Sequence, residues 1–383
     1  MNQRAWCALV VTAGLLIGFI LPATPAQADE PRDAEWQLGF LKMTAAWQVT
    51  RGNGVTVGVI DSGINGGHPD LAGNVLRGTS LVPGHPGDGW EDVDFHGTNM
   101  AGLIAGHGHN GTDGVLGIAP QAKILPIQIG TAGIVGGADL MAAAVNYAVG
   151  HGAKVISISL SARDASGGLQ AAIDRAAEAD VVVVAGVGNA PTDTTVGLPA
   201  RYPGVVAVGA VDRNGDHAEV SVTGPQVLIS APGIDVETTG PQNEYGRATG
   251  TSVSTAITAG VVALIRAKYP LMSAASVIRR LTETADDKGV PGRDPEYGYG
   301  IVNPYAALTA NVPPSSSAGP GEGGGGKSAG PSSPGGTSPS PKAAGSKGNN
   351  KAGLAIVAVL VVLAVGASIW IRRAASRHRR TTY

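Results

Sequence analysis

Five apolar runs rich in valine and isoleucine punctuate the chain: Val55 to Ile60, Lys123 to Ile129, Val155 to Leu160, Val181 to Val187 and Val205 to Val211. The segment of four valines at 181–184 has no in/out alternation, which suits strands covered on both faces. Stretches dominated by small residues stand between the runs, at His96 to Ala105, Ala138 to Val149 and Leu169 to Ala179, and their spacing predicts helices. Strands alternating with helices predict an α/β fold, a doubly wound and mostly parallel sheet with helices on both faces. Ligands and chemistry in such sheets gather beyond the carboxyl ends of the strands, so the polar residues directly after each run carry the functional information.

The hydrophobic pattern changes character at both ends. Arg4 precedes the apolar run Ala8 to Leu21, followed by Pro22 and Ala26-Gln27-Ala28, the order of a secretory signal with a small-residue cleavage site. Residues 1–28 are therefore expected to be a signal peptide, and 29–51 a short N-terminal extension too small for a core of its own. That extension, with Trp36 and Trp47, is expected to pack on the domain that follows it, residues 52–311. Residues 312–351 are nearly all Pro, Gly, Ser, Ala and Lys and predict a linker. As a flexible coil its reach is on the order of 35 Å. The uncharged run 352–371 is long enough for one transmembrane helix, since 20 helical residues span about 30 Å. Arg372, Arg373, Arg377, Arg379 and Arg380 follow it at once, so the tail 372–383 is expected inside the cell and residues 29–351 outside.

Charge and cysteine content narrow the classes. The formal net charge of −2 conceals a division. Residues 29–311 hold 17 basic against 28 acidic side chains, a charge of −11, whereas 352–383 carry +5. An acidic exported domain excludes a nucleic-acid binder and favours neutral or basic partners. Cys7 is the one cysteine and lies in the expected signal, which excludes a disulfide framework and a cysteine nucleophile in the exported chain.

Four polar positions stand where the fold would expose them. Asp61-Ser62-Gly63 directly follows the run VTVGVI. His96 opens a small-residue helix within DFHGTNMAG. Asn189 follows VVVVAGVG, and Ser252 lies in GTSVSTAITAG at the start of an apolar helix. Each alone reads as a turn, cap or core residue. Together they supply a hydroxyl nucleophile at a helix N-terminus, an imidazole base, a carboxylate to orient it, and an amide donor for a developing oxyanion. Gly250 would let a substrate approach the backbone, and the small residues 254–256 would let the helix lie close to the sheet.

VIDSGI, HGTNMAG, VVVVAGVGN and GTSVSTAITAG resemble the Asp, His, oxyanion Asn and Ser motifs of subtilisin-family serine proteases over about residues 40–310. The resemblance implies a subtilisin-like fold, catalytic roles for Asp61, His96, Asn189 and Ser252, and a substrate cleft lined by Ser159, Leu160 and Ser161. Ser161 and Ala162 stand where the family usually has glycines, Asn99 where it has a second His, Ala256 where it has Pro, and Phe95 where it has Gly.

The layout of signal, short extension, protease domain, linker and span resembles mycosins, membrane-anchored subtilases associated with type VII secretion. It implies an extracytoplasmic, single-pass membrane endopeptidase acting on proteins or peptides, within reach of a type VII secretion complex. The alternatives are a structural or cap subunit with secondary activity, or a general surface protease. No cofactor and no metal are expected. His107 and His109 lack a third ligand in sequence, and Asp88, Glu91, Asp92 and Asp94 read as a solvated loop.

Overall fold

A computed structural model describes residues 30–313, apart from 93, 132–133, 136 and 163. The expected signal peptide, the span at 352–371, the basic tail and all but the first two residues of the linker lie outside the described residues. Among the described residues no helix is long and apolar enough to cross a membrane.

The valine-rich runs become strands. They are β1 (Thr56–Asp61), β2 (Thr79–Ser80), β3 (Lys123–Gln128), β4 (Val155–Ile158), β5 (Val182–Gly186), β6 (Val205–Val211) and β7 (Ile229–Pro232). They form one sheet in the order β7-β6-β5-β4-β1-β3-β2, and every pairing is parallel. Two of these strands carry no clear signal in the sequence. β2 has two residues, and β7 ends in a proline that suits an edge.

Two apolar layers explain the unbroken valine runs. Val182 and Val184 of β5 join one core with α1 (His96–Ala105) and α4 (Thr251–Lys268). Val183 and Ala185 join the other with α2 (Ala138–Gly150) and α3 (Gly167–Glu178). Alternate residues of one strand thus face opposite helix layers, so every position needs an apolar side chain.

Chain order reverses at β1, because the strands that follow it pair first toward β3 and then toward β4 and β5. The crevice beyond the carboxyl ends of β1, β4 and β5 is the switch point where such sheets place their ligands.

α4 runs through the core. Every residue from Thr251 to Arg266 is buried except Ser252. Its small first turn permits this. Thr251 lies so near β5 that a Cβ on Gly186 would come 3.0 Å from Thr251 Oγ1, and Ser254 Oγ donates to the carbonyl of Ala231 at 2.9 Å. An antiparallel hairpin, β8 (Val236–Thr239) and β9 (Tyr245–Ala248), packs on α1. There a Cβ on Gly102 would come 2.2 Å from Thr239 Oγ1.

The N-terminal extension packs on the domain, as its tryptophans predict. Three short helices, Glu30–Asp33, Trp36–Phe40 and Met43–Trp47, place Leu41, Met43 and Ala46 in the α1/α4 core. Trp47 Nε1 donates to the carbonyl of Ile118 at 2.9 Å, and Trp36 Nε1 to that of Asp235 at 3.1 Å. Arg32 donates to the carbonyls of Gly114 and Asp113 at 2.8 and 3.0 Å, and the Leu116 N–H donates to Glu35 Oε1 at 2.8 Å.

Candidate active site

Asp61 is the last residue of β1 and is 1% exposed. Its Oδ1 accepts the N–H of Ser62 at 2.8 Å and lies 2.7 Å from His96 Nδ1. Its Oδ2 has no hydrogen-bond partner among the described residues. The His96 side chain remains 34% exposed, so the ring joins a buried carboxylate to the solvent-facing crevice. The negative charge of Asp61 is the main cause that raises the imidazole above its ordinary 6.5 to about 9. Burial opposes the rise, while the hydrogen bond to Asp61 and the charges of Asp94 and Asp92 add to it.

Strand register carries Asp61 to the serine. Ile60 pairs with Ile158, so Asp61 stands beside Ser159, the first residue beyond β4. The carbonyl of Ser159 accepts the hydroxyl of Ser252 at 3.1 Å, and Ser159 Oγ donates to the carbonyl of Ser252 at 3.3 Å. Among the described residues no hydrogen bond joins Ser252 to His96.

Asn189 reaches the same place from β5. Its Oδ1 accepts the N–H and the hydroxyl of Thr251, at 2.9 and 3.2 Å, and its own backbone N–H donates to Asp193 Oδ2 at 2.7 Å. Because the amide is planar, anchoring the oxygen on Thr251 directs Nδ2 away from it. Gly250, at φ 140°, makes the turn into α4, and a Cβ there would come 3.2 Å from the Asn189 amide.

The three residues after β4 divide their contacts. Ser159 faces Ser252, Leu160 packs against the α2/α3 core, and a Cβ added to Gly197 would meet Ser161 Oγ at 3.1 Å. The structure thus brings Asp61 and His96 together, and Ser252, Asn189 and Ser159 together, with Ser159 between the two groups.

Asp92 differs from the sequence reading of a solvated loop. It is half-buried and accepts hydrogen bonds from Ser62, Phe95 and Thr98. Desolvation is the largest cause acting on its carboxyl and raises it. One run of the sequence, DVDFHGT, already held Phe95 and Thr98, but only the fold brings Ser62 to Asp92 and shows that Asp92 turns inward. Phe95 has φ 66°, a conformation in which glycine is unstrained, and so gives a physical reason for the family's usual residue there.

His109 meets a partner far in sequence. Its Nδ1 lies 2.6 Å from Asp70 Oδ1, and Asp70 is fully buried, with Oδ2 accepting the N–H of Val115 at 2.8 Å. His68, also fully buried, accepts the N–H of Asp70 on its Nδ1. Among the described residues no group of three or more His, Cys, Asp or Glu is placed to hold a metal ion.

The model of the subtilase family matches residues 52–300, most of the chain. The protein belongs to the subtilase family. It is similar to subtilisin DY of Bacillus licheniformis, 38% identical over 260 residues that cover 67% of this chain and 92% of that one. A thermostable alkaline protease of Halalkalibacterium halodurans is 37% identical, covering 73% of this chain and 74% of that one. Among solved structures it resembles MycP1 with the N-terminal propeptide removed, at TM-score 0.65 and 32% identity, covering 73% of this chain and 98% of that one. It also resembles MycP1 from the ESX-1 type VII secretion system, at TM-score 0.67 and 29% identity over 76% of this chain and 88% of that one. As a subtilase it is a serine protease of the endopeptidase kind.

Proposed function

We propose that the protein is a membrane-anchored, extracytoplasmic serine endopeptidase of limited specificity that works beside a type VII secretion complex. The observation that carries the catalytic reading is the convergence of the Asp61–His96 pair and Ser252 on the two sides of Ser159. Ser252 Oγ attacks the scissile carbonyl while His96 Nε2 takes its proton and later returns it to the leaving amine. Asp61 holds Nδ1 and stabilises the imidazolium in both steps. The oxyanion receives Asn189 Nδ2 and the N–H groups at the start of α4, whose positive end favours the charge. Water then releases the acyl group by the same proton path in reverse.

For this sequence to be completed, His96 must lose its proton and Ser252 must leave the Ser159 carbonyl for the imidazole. Rotation about one side-chain bond moves the hydroxyl, and binding of a peptide in the crevice displaces water from the exposed face of His96.

Anchoring rests on the uncharged run 352–371 and the arginines behind it. The link to secretion rests on that layout and on the likeness to MycP1 from a type VII secretion system. Ser252→Ala is expected to abolish cleavage of a peptide substrate and labelling by a fluorophosphonate. Labelling that survives in this variant would refute the assignment of the nucleophile. Mass spectrometry of protein N-termini from wild-type and Ser252→Ala cells should identify substrates at the cell surface. A secretion defect in a deletion strain that the Ser252→Ala chain fully repairs would instead favour a mainly structural role.

A further inference from the structure

The first turn of α1 is held entirely from outside the helix. Phe95, its N-cap residue, gives no side-chain cap, so its first N–H groups need other acceptors. The N–H of His96 donates to Asp94 Oδ1 at 3.1 Å and that of Gly97 to Ser62 Oγ at 3.0 Å. Asp92 takes the rest, with Oδ1 accepting the N–H of Phe95 at 3.0 Å and Oδ2 that of Thr98 at 2.8 Å.

Asp92 also reaches the other half of the pair. Ser62 Oγ donates to Asp92 Oδ1 at 2.8 Å, while the Ser62 N–H donates to the same Asp61 oxygen that holds His96. Thr98 Oγ1 donates to Asp92 Oδ2 at 2.5 Å and accepts the N–H of Asn65, two residues beyond Gly63. One carboxylate therefore fastens the end of β1 to the start of α1, and each of those elements carries one member of the Asp61–His96 pair.

We infer that Asp92 is a positioning residue for catalysis, which fixes the His96 ring against Asp61 by bridging Ser62 to the first turn of α1. Two physical effects follow from its place. The bridge holds the Asp61–His96 distance against the left-handed backbone at Phe95, which a bulky residue adopts only at a cost. Its charge, with that of Asp94, also offsets the positive end of α1, which would otherwise disfavour an imidazolium at the first helical position. The charged groups acting on His96 are Asp61, Asp94 and Asp92.

The inference rests on the serine-protease reading, and the test separates the two. The rate of Ser252 labelling by a fluorophosphonate, and kcat and KM on a peptide substrate, are measured against pH for wild type, Ser252→Ala, Asp92→Asn and Ser62→Ala. Asn keeps the size of the side chain but replaces one accepting oxygen by a donor. For Asp92→Asn, kcat is expected to fall about 10²-fold with KM little changed, since small misplacements of a catalytic group cost that much. The acid limb of the labelling profile should move to lower pH, a change that loss of packing alone would not cause. Ser62→Ala removes the hydroxyl's links to Asp92 and to the Gly97 N–H but leaves the Asp92 charge and its bonds to Phe95 and Thr98, so it should lower kcat by a smaller factor and leave the limb in place. If Asp92→Asn does not fold, the Ser62→Ala fall in kcat decides. An Asp92→Asn enzyme within about twofold of wild type and with an unmoved limb, or a folded Ser62→Ala enzyme with wild-type kcat where Asp92→Asn is lost, would overturn the inference. Undiminished labelling of Ser252→Ala would overturn the parent reading instead.

Discussion

His96 Nδ1 lies 2.7 Å from Asp61 Oδ1, and the buried carboxylate holds the imidazole above its ordinary protonation range, at about 9. A general base must be neutral to act, so kcat/KM, which follows the ionisation of the free enzyme, is expected to rise with pH through that range. Asp61→Asn should lower activity about 10⁴-fold, the size established for serine proteases that lose this carboxylate, and shift the acid limb toward 6.5. The pH profile of kcat/KM for both forms checks this. A limb that stays in place in Asp61→Asn would show that another group governs it.

Asn189 offers a cleaner test as Asp than as Ala. Asp keeps the oxygen that anchors Thr251 and removes the donor aimed at the oxyanion. kcat is expected to drop by at least about 10²–10³-fold, the range established for losing one oxyanion donor in a subtilisin, with KM little changed. Steady-state kinetics on one peptide measures it.

Glu35 makes folding sensitive to pH. Burial is the main cause that raises its carboxyl from 4.5 to about 9, opposed by the Leu116 N–H and by Arg32. Arg32 lies 3.4 Å away but spends its guanidinium on the carbonyls of Gly114 and Asp113, so it does not offset the burial. The folded state thus holds a proton that the unfolded chain releases near 4.5. This favours folding fully below pH 4.5, and the benefit is lost as pH rises toward 9. Glu35→Gln should melt at a higher temperature than wild type near pH 8 and follow a flatter stability–pH curve between about 5 and 9. Thermal melts across that range test the sign.

Met43 gives the extension its hold on the core. It is fully buried in the core that α1 and α4 share, so Met43→Ala should cost about 2–5 kcal/mol, read from denaturant unfolding. No residue of the extension hydrogen-bonds Asp61, His96, Asn189 or Ser252 among the described residues, so kcat at low temperature is expected to change less than twofold.

Gly102 couples packing to the site. Ala at this position drives a methyl into Thr239, so Gly102→Ala should cost about 1–3 kcal/mol and also lower kcat, since α1 carries His96. Parallel unfolding and kinetic measurements would separate these effects. A loss of stability with unchanged kcat would show that the helix shifts without moving its first turn.

Much of this protein is determined by the order of its residues. Strands covered on both faces demand apolar side chains at every position, so β1, β3, β4, β5 and β6 stand out as unbroken runs, and the residues just past β1 and β5 mark the crevice. Asp61 and Asn189 could be read for that reason, and His96 and Ser252 as polar residues opening small-residue and apolar helices. β2 and β7 could not, since two to four residues at an edge carry too short a pattern. Nor could the inward turn of Asp92 or the pairing of Asp70 with His109, 39 residues away, because an acidic residue in a polar loop looks the same whether it faces water or a helix N-terminus. The tertiary structure decided those, and with them the state of His96. Periodicity records which face of a strand or helix is buried, but the field on one imidazole depends on distances between side chains brought together only by the closed fold.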